Sequence, residues 1–185
     1  GTLLNQFVDF MVRGKDTDWV EDDEMTVYNA DGTVDMPMTL CGVRLRGNST
    51  QKLPKKPFAI KLTQKKAVLG MASHKRWCLM ANWLDRSMIR NLVGFAAAHA
   101  TTKAWKNTAG AAEGITWNPS GKSVELVIDG RHVGNYLLCE QIKIGSKRLN
   151  INDNYEDLTA DSKSNAYEDC GYLVEFDVMQ DEAYK

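Results

Sequence analysis

The chain has 185 residues, of which 43% are hydrophobic and 25% charged, and its formal net charge is −1. Such a chain forms one globular domain, or one domain and a piece of another, with enough length to bury a real core. The near-zero charge excludes a whole-protein pull toward nucleic acid or membrane, and no apolar run approaches a transmembrane length.

The net charge hides a segregation of sign. From Met36 to Leu84 there are ten cations and no Asp or Glu. Asp16 to Asp35 holds eight acids and no Lys or Arg, and Asn150 to Glu182 holds ten acids against Lys163 alone. Blocks of one sign are either complementary faces that meet in the fold or a field focused on an anionic ligand.

Taken in chain order, Gly1 to Val12 opens with Leu3, Leu4, Phe7, Val8 and Met11 at helical spacing and predicts a short helix. The acidic segment Asp16 to Glu24 reads as a surface loop. Residues 1–24 therefore precede the main domain, which is assigned to 25–185. Met25 to Tyr28 reads as a strand, Asp31-Gly32 as a turn and Met38 to Arg46 as the next strand.

A basic loop follows, then a second strand, Phe58 to Leu62. Arg44 and Arg46 alternate with Val43 and Leu45, and Ala59 and Lys61 alternate with Phe58, Ile60 and Leu62. Successive strand side chains point to opposite faces, so each strand offers an apolar face to a core and a cationic face outward. Between them, Gly47, Asn48, Ser49 and Thr50 supply backbone freedom and short hydrogen-bonding groups. The stretch suits a polyanion such as a nucleotide phosphate chain, and equally a solvated basic hairpin.

Thr63 to Lys66 reads as a polar link, Ala67 to Met71 as an apolar turn and Trp77 to Met80 as a short buried strand. Ser87 to Ala100 predicts the principal helix, with Met88, Ile89, Leu92, Val93, Ala96 and Ala100 as its apolar stripe and Asp85 or Ser87 as its cap. Thr101 to Ser120 reads mostly as loop. Val124 to Ile128 and Val133 to Cys139, joined by Asp129-Gly130, predict a hairpin with a type I′ turn. Lys143 to Lys163 is polar and irregular, and Tyr172 to Phe176 reads as a last strand. The expected fold is α+β: a mainly antiparallel sheet with one major helix packed on one face.

Several residues carry candidate chemistry. Lys61, on the polar face of a strand after a Gly-containing basic loop, has the character of the phosphate-holding lysine of kinases. No GxxxxGK[ST] or GxGxxG is present, so a phosphate cradle here uses Arg46, the backbone of Gly47 to Thr50, and the side chains beside them, including Lys56. Asn82, Asp85, Arg90 and Asn91 form a supporting polar set at the helix start, where anions are favoured; a salt bridge from Arg90 to an acid of the last strand is the structural alternative. Glu140 ends a buried strand, either as an ordinary strand-end acid or at the place where a kinase linker meets adenine. Glu175 and Asp177 share a strand face and either bind a metal ion or pair with the basic block.

His74, His99 and His132 are isolated from metal-ligand spacing. Cys41, Cys78, Cys139 and Cys170 contain no CxxC, which argues against a zinc knuckle or a redox pair. Buried free thiols are expected, with a disulfide left open for an exported protein.

Together these pieces resemble one family. Arg44 to Thr50, Pro54 to Leu62 and Leu69-Gly70-Met71 are similar to segments of the spore-coat protein H (CotH) family. So are Lys75 to Asn82 with Asp85, Met88 to Asn91, Gly134-Asn135-Tyr136, Glu140-Gln141-Ile142 and Gly171 to Asp177. The resemblance implies an atypical protein-kinase-like fold, here its N-terminal, nucleotide-binding portion. It implies ATP with Mg²⁺ or Mn²⁺, transfer of the γ-phosphoryl group to protein hydroxyls in the complete parent, and a secreted or cell-surface location with the leader removed. Arg46, Gly47, Asn48, Ser49, Thr50, Lys56, Lys61 and Glu140 would belong to the nucleotide site.

Three departures accompany the resemblance. The helix 87–100 has no Glu, so Asp85, Glu140 or Glu175 would orient Lys61, or nothing does. The Trp-Asp-Phe-Asp-like run that looks like the family's metal-binding aspartate does not occur in this chain, which reads as truncated at its C-terminus, and no catalytic residue is assigned. Gln51 stands where the family often has an aromatic. The alternative reading is a non-catalytic surface-assembly protein whose basic face binds an acidic partner. A nucleic-acid module fits less well, for want of an aromatic stacking pattern.

Overall fold

The computed structural model describes residues 19–104 and 117–151. The chain divides into two compact units, Gly1–Leu149 and Asn150–Lys185, and the second is described only at 150–151. The expected N-terminal helix, the strand at 172–176, Cys170, Glu175 and Asp177 lie outside the described residues.

Among the described residues the first unit has six antiparallel strands and one helix. The strands are β1 (Val20–Tyr28), β2 (Val34–Leu45), β3 (Phe58–Val68), β4 (Met71–Met80), β5 (Gly121–Ile128) and β6 (Arg131–Glu140). Helix α1 runs Arg90–Ala104, and a 3₁₀ turn covers Thr50–Lys52. The sheet order is β1-β2-β3-β4-β6-β5: a four-strand meander, then a crossover through α1 that returns β6 beside β4. The described residues are consistent with the expected α+β class, an antiparallel sheet with one helix.

Period-two alternation decides which face is buried. On one face Cys41, Leu45, Phe58, Ile60, Leu62, Trp77, Leu79, Tyr136 and Leu138 form one core cluster, joined by Val27 and Met36 and flanked by Val124 and Leu126. Both ends of the strand order contribute to that cluster, so the sheet curls around it. Arg44, Ala59, Lys61, Arg76, Cys78, Leu137 and Cys139 alternate onto the opposite face. There α1 packs Leu92 and Phe95 against Cys78, Leu137 and Cys139.

Two turns explain much of the register. Asp129 and Gly130 have φ of 50° and 74°, the doubly positive geometry of the type I′ turn that Asp-Gly predicts. Leu69 and Gly70 do the same at 50° and 78°. The polar link at 63–66 and the apolar turn at 67–71 are therefore mostly strand, and β3 and β4 form one long hairpin closed by two residues.

Other boundaries also differ from expectation. The acidic segment is not loop to Glu24: β1 begins at Val20. An extra residue is accommodated between Val20↔Val43 and Asp23↔Cys41, where Asp22 adopts φ 66°, a bulge that lets an acidic run pair with β2. The helix begins at Arg90 rather than Ser87 and continues through 101–104. Met88 sits at φ 58°, which L-residues avoid within a helix, so the chain turns before the helix can start. The buried stripe shifts with it: Leu92 and Phe95 face the sheet, whereas Ile89 and Val93 are exposed.

Candidate functional site

The cationic face of β2, β3 and β4 is built by register. Lys61 lies opposite Gly42 on β2 and opposite Arg76 on β4, and Arg44 is one same-face step along β2. All three cations surround one indole: the Arg44 guanidinium is 4.7 Å, the Arg76 guanidinium 4.9 Å and the Lys61 ammonium 5.9 Å from the centroid of Trp19. Cation–π contacts of this kind contribute about 0.5–1 kcal/mol each at exposed positions. Glu21, two residues on, approaches Lys61 at 3.9 Å. Both side chains are about half exposed, 42% and 52%, so the pair contributes about 0–1 kcal/mol and is readily displaced.

Gly42 makes this arrangement possible. A Cβ there would come within 2.7 Å of Glu21 Oε2 and 3.2 Å of the Trp19 ring. The missing side chain gives Trp19 and Glu21 room to lie across the sheet.

The loop from Arg46 to Pro57 is pinned at its base and open at its tip. The Arg46 N–H donates to the Pro57 carbonyl at 3.1 Å, closing the strand ends. Gly47 takes φ 85°, and Gly47 to Thr50 are exposed. Gln51 turns inward and is buried. The Lys56 ammonium donates to the Gln51 carbonyl at 2.9 Å, and the Tyr136 hydroxyl donates to the Lys56 carbonyl at 3.0 Å. Lys55 donates to the Asn135 carbonyl and stands 4.5 Å over the Tyr136 ring; burial pulls its pKa down. Lys55 and Lys56 thus anchor the loop, while Arg46 stays on the face of Lys61 and acts electrostatically on Cys78 and Cys139.

The polar set at the helix start is brought together. Asp85 accepts from the Ser87 hydroxyl at 2.6 Å, from the Ser87 N–H at 3.1 Å and from the Arg90 N–H at 2.9 Å. Its carboxyl is held below the ordinary Asp value, first by the Ser87 hydroxyl and then by the Arg90 N–H. Asn91 donates to Asn82 at 2.9 Å, and the Arg90 guanidinium pairs with Asp85 at 3.5 Å. Asp85 is the cap, as expected, acting from a loop that loops back to the first helical N–H.

Glu140 stands apart from this face. It pairs with Trp77 in the ladder, and Trp77 belongs to the core side. Its carboxylate accepts from the Arg148 guanidinium at 2.6 Å, with the two side chains 0% and 3% exposed, and from the Ser120 N–H at 2.9 Å. Arg148 also stacks over Trp77 at 5.0 Å. Neither Glu140 nor Asp85 meets Lys61; among the described residues the acid beside Lys61 is Glu21.

Sequence spacing alone does not bring Trp19, Glu21 or Arg76 to the cationic face. Alternation flags Arg44 as outward-facing, but only the register places Arg76 beside Lys61. The basic block from 36 to 84 and the acidic block before it do meet, through Glu21 and Lys61. No helix among the described residues is long and apolar enough to cross a membrane.

No curated protein matches the chain. The sequence model of the CotH kinase protein family matches residues 43–183, a span that takes in the cationic face from β2 onward, its loop, α1 and the β5–β6 hairpin. The chain belongs to the CotH kinase protein family.

Proposed function

We propose that the cationic face of β2–β4 binds the phosphate chain of ATP, and that the unit is the nucleotide-binding part of a kinase-like fold whose parent transfers the γ-phosphoryl group to protein hydroxyls. The observation that carries this reading is the gathering of Arg44, Lys61 and Arg76 around one ring, with Glu21 as a weak, displaceable counter-charge. Phosphoryl transfer is mostly a matter of positioning and charge neutralisation. Lys61 and the two arginines would hold phosphate oxygens, the arginines in the bidentate manner their fork permits. The exposed backbone and hydroxyls at Gly47 to Thr50, with Arg46, would close over the chain from the loop side. Glu21 would release Lys61 to the phosphates or orient it, the role that an acid on the helix fills in other kinases. Glu140, committed to Arg148, would act as a support behind the sheet.

A bound Mg²⁺ or Mn²⁺ would supply further charge neutralisation for the phosphates. Among the described residues no group of His, Cys, Asp or Glu is assembled to hold a metal ion. Glu175 and Asp177 are the remaining candidates for that role.

A thermal-shift titration of the full 185-residue chain with ATP and Mg²⁺ or Mn²⁺ tests the reading. A ligand at a hundred times its Kd stabilises the folded state by about 2.7 kcal/mol. Lys61→Ala and Arg76→Ala should each move the titration to higher ATP, with the unliganded Tm nearly unchanged. No shift with ATP, but a shift with an acidic peptide, would overturn nucleotide binding in favour of an assembly surface.

A further inference from the structure

The two cysteines that sequence spacing keeps apart are neighbours in the sheet. Cys78 on β4 and Cys139 on β6 are directly opposite in the antiparallel register. Opposed residues of an antiparallel pair have Cα atoms about 4.5 or 5.5 Å apart, and both spacings fall within the range that a disulfide spans. Both thiols are free. They lie under α1, in a cluster with Leu137 that Met80, Leu92 and Phe95 cover, and each residue is only 3% exposed.

We propose that Cys78 and Cys139 are an oxidisable dithiol that closes to a cross-strand disulfide with a small peroxide as oxidant. The two sulfurs are not equivalent. The neighbouring Cys139 thiol lowers the Cys78 pKa against the effect of burial, and the Arg46 guanidinium adds to the lowering. Cys139 is moved the other way by the same contact and by burial. Cys78, whose pKa is held down, is assigned the first attack. Its sulfur attacks one peroxide oxygen, the O–O bond breaks, and with one proton taken up the products are a Cys78 sulfenic acid and water. The Cys139 sulfur then attacks Cys78, the S–O bond breaks, and the hydroxyl leaves as a second water with the Cys139 proton. Two thiols and one hydrogen peroxide give one disulfide and two waters. Cys41 offers a contrast on the opposite face of the sheet: burial pushes its pKa up to about 12, which leaves it unreactive.

Burial sets the class of oxidant. A peroxide is small enough to reach a buried pair, whereas a protein or glutathione disulfide must bring a bulky sulfur to a site that is closed in the native fold. The bond would lock β4 to β6, the sheet neighbours that the crossover through α1 and the β5–β6 hairpin bring together.

Peptide mapping of the whole chain tests the proposal. The protein is treated with hydrogen peroxide, denatured, alkylated with iodoacetamide and digested with trypsin. The expected product links the peptide running from Trp77 to Arg86 with that from His132 to Lys143, while Cys41 and Cys170 are alkylated. The linked form should have a higher Tm that dithiothreitol returns to its starting value. Cys78→Ser should abolish the link and expose Cys139 to alkylation, and Cys41→Ser should leave it intact. Alkylation of all four cysteines after peroxide, further oxidation of Cys78 without a link, or linkage of either residue to Cys41 or Cys170 would each overturn the proposal.

Discussion

Glu140→Gln isolates what the buried ion pair contributes. The amide retains the shape of the side chain and an oxygen for the Ser120 N–H, but it removes the charge. Arg148 would then be a cation in a site with no exposure, held by the Ala72 carbonyl at 3.2 Å, the Lys147 carbonyl at 3.0 Å and one neutral amide. Removing one partner of a buried pair costs about 3–5 kcal/mol, or at least a hundredfold in the folding constant at about 1.4 kcal/mol per decade. Two features argue for the upper half of that range. Arg148 Nε and Nη2 have no acceptor among the described residues, so the guanidinium is under-compensated already. The guanidinium also stacks on Trp77, which is fully buried, leaving it no route to water. Against a typical domain stability of about 5–15 kcal/mol, the variant should unfold at much lower urea. Tryptophan fluorescence, with Trp77 beneath the guanidinium, is a suitable readout.

The partner variants complete a double-mutant cycle. Arg148→Met leaves Glu140 with the Ser120 N–H and should cost less than Glu140→Gln. The double variant Glu140→Gln/Arg148→Met should recover much of the loss, because apolar replacement of a buried pair is often neutral or better. A loss below about 1 kcal/mol for Glu140→Gln, the range of exposed pairs, would refute the reasoning. So would a double variant as unstable as Glu140→Gln alone.

Two further outcomes follow from the loop and from the acids. Gly47→Ala places a Cβ on the Thr50 hydroxyl at a backbone angle that costs L-residues about 1–2 kcal/mol. Urea unfolding should show a loss of at least that size, and Thr50→Ala in the same chain should restore only the steric share. The acids act with opposite signs. Asp85, held low, contributes stability that is full above the unfolded Asp value, about 4, and is lost as pH falls through its lower folded value. Asp85→Asn should therefore flatten the acid limb of a Tm-versus-pH curve. Asp23 is raised by burial, then by Asp129 and Asp22, so its charge destabilises at neutral pH and Asp23→Asn should raise the Tm there; an unchanged or lower Tm would contradict that assignment.

Much of the fold is legible where a local signal is strong. Asp129-Gly130 between apolar runs specifies its turn almost alone, and the alternation from Val43 to Leu62 assigns core and cationic faces to β2 and β3. Failures occur where register or a cap overrides local pattern. A perfect ladder from Val68↔Met71 would set Lys61 opposite Cys78, but irregularities between Lys61 and Val68 bring Arg76 there. Parity is preserved, so the face is legible and the neighbour is not. The acidic run up to Glu24 lacks apolar alternation and reads as loop, yet its bulge and its pairing with β2 make it strand. The expected helix stripe holds at Leu92 but not at Val93, and Phe95, outside it, packs on the sheet beside Leu92; the left-handed Met88 leaves Met88 and Ile89 before the helix start. The cysteines show the same limit: sixty residues separate Cys78 from Cys139 in sequence, and only the crossover through α1 makes them adjacent.

The acidic start of β1 has one more consequence. Among the described residues the sheet order ends at β1 on one side and β5 on the other, and an end strand offers free N–H and C=O groups to any passing chain. On β1 that invitation is withdrawn twice. Glu21, Asp22, Asp23 and Glu24 would confront like charges if a second copy paired there, and the bulge at Asp22 breaks the even spacing that a new ladder needs. The run that supplies a counter-charge to Lys61 thus also keeps concentrated protein from stacking edge to edge into aggregates.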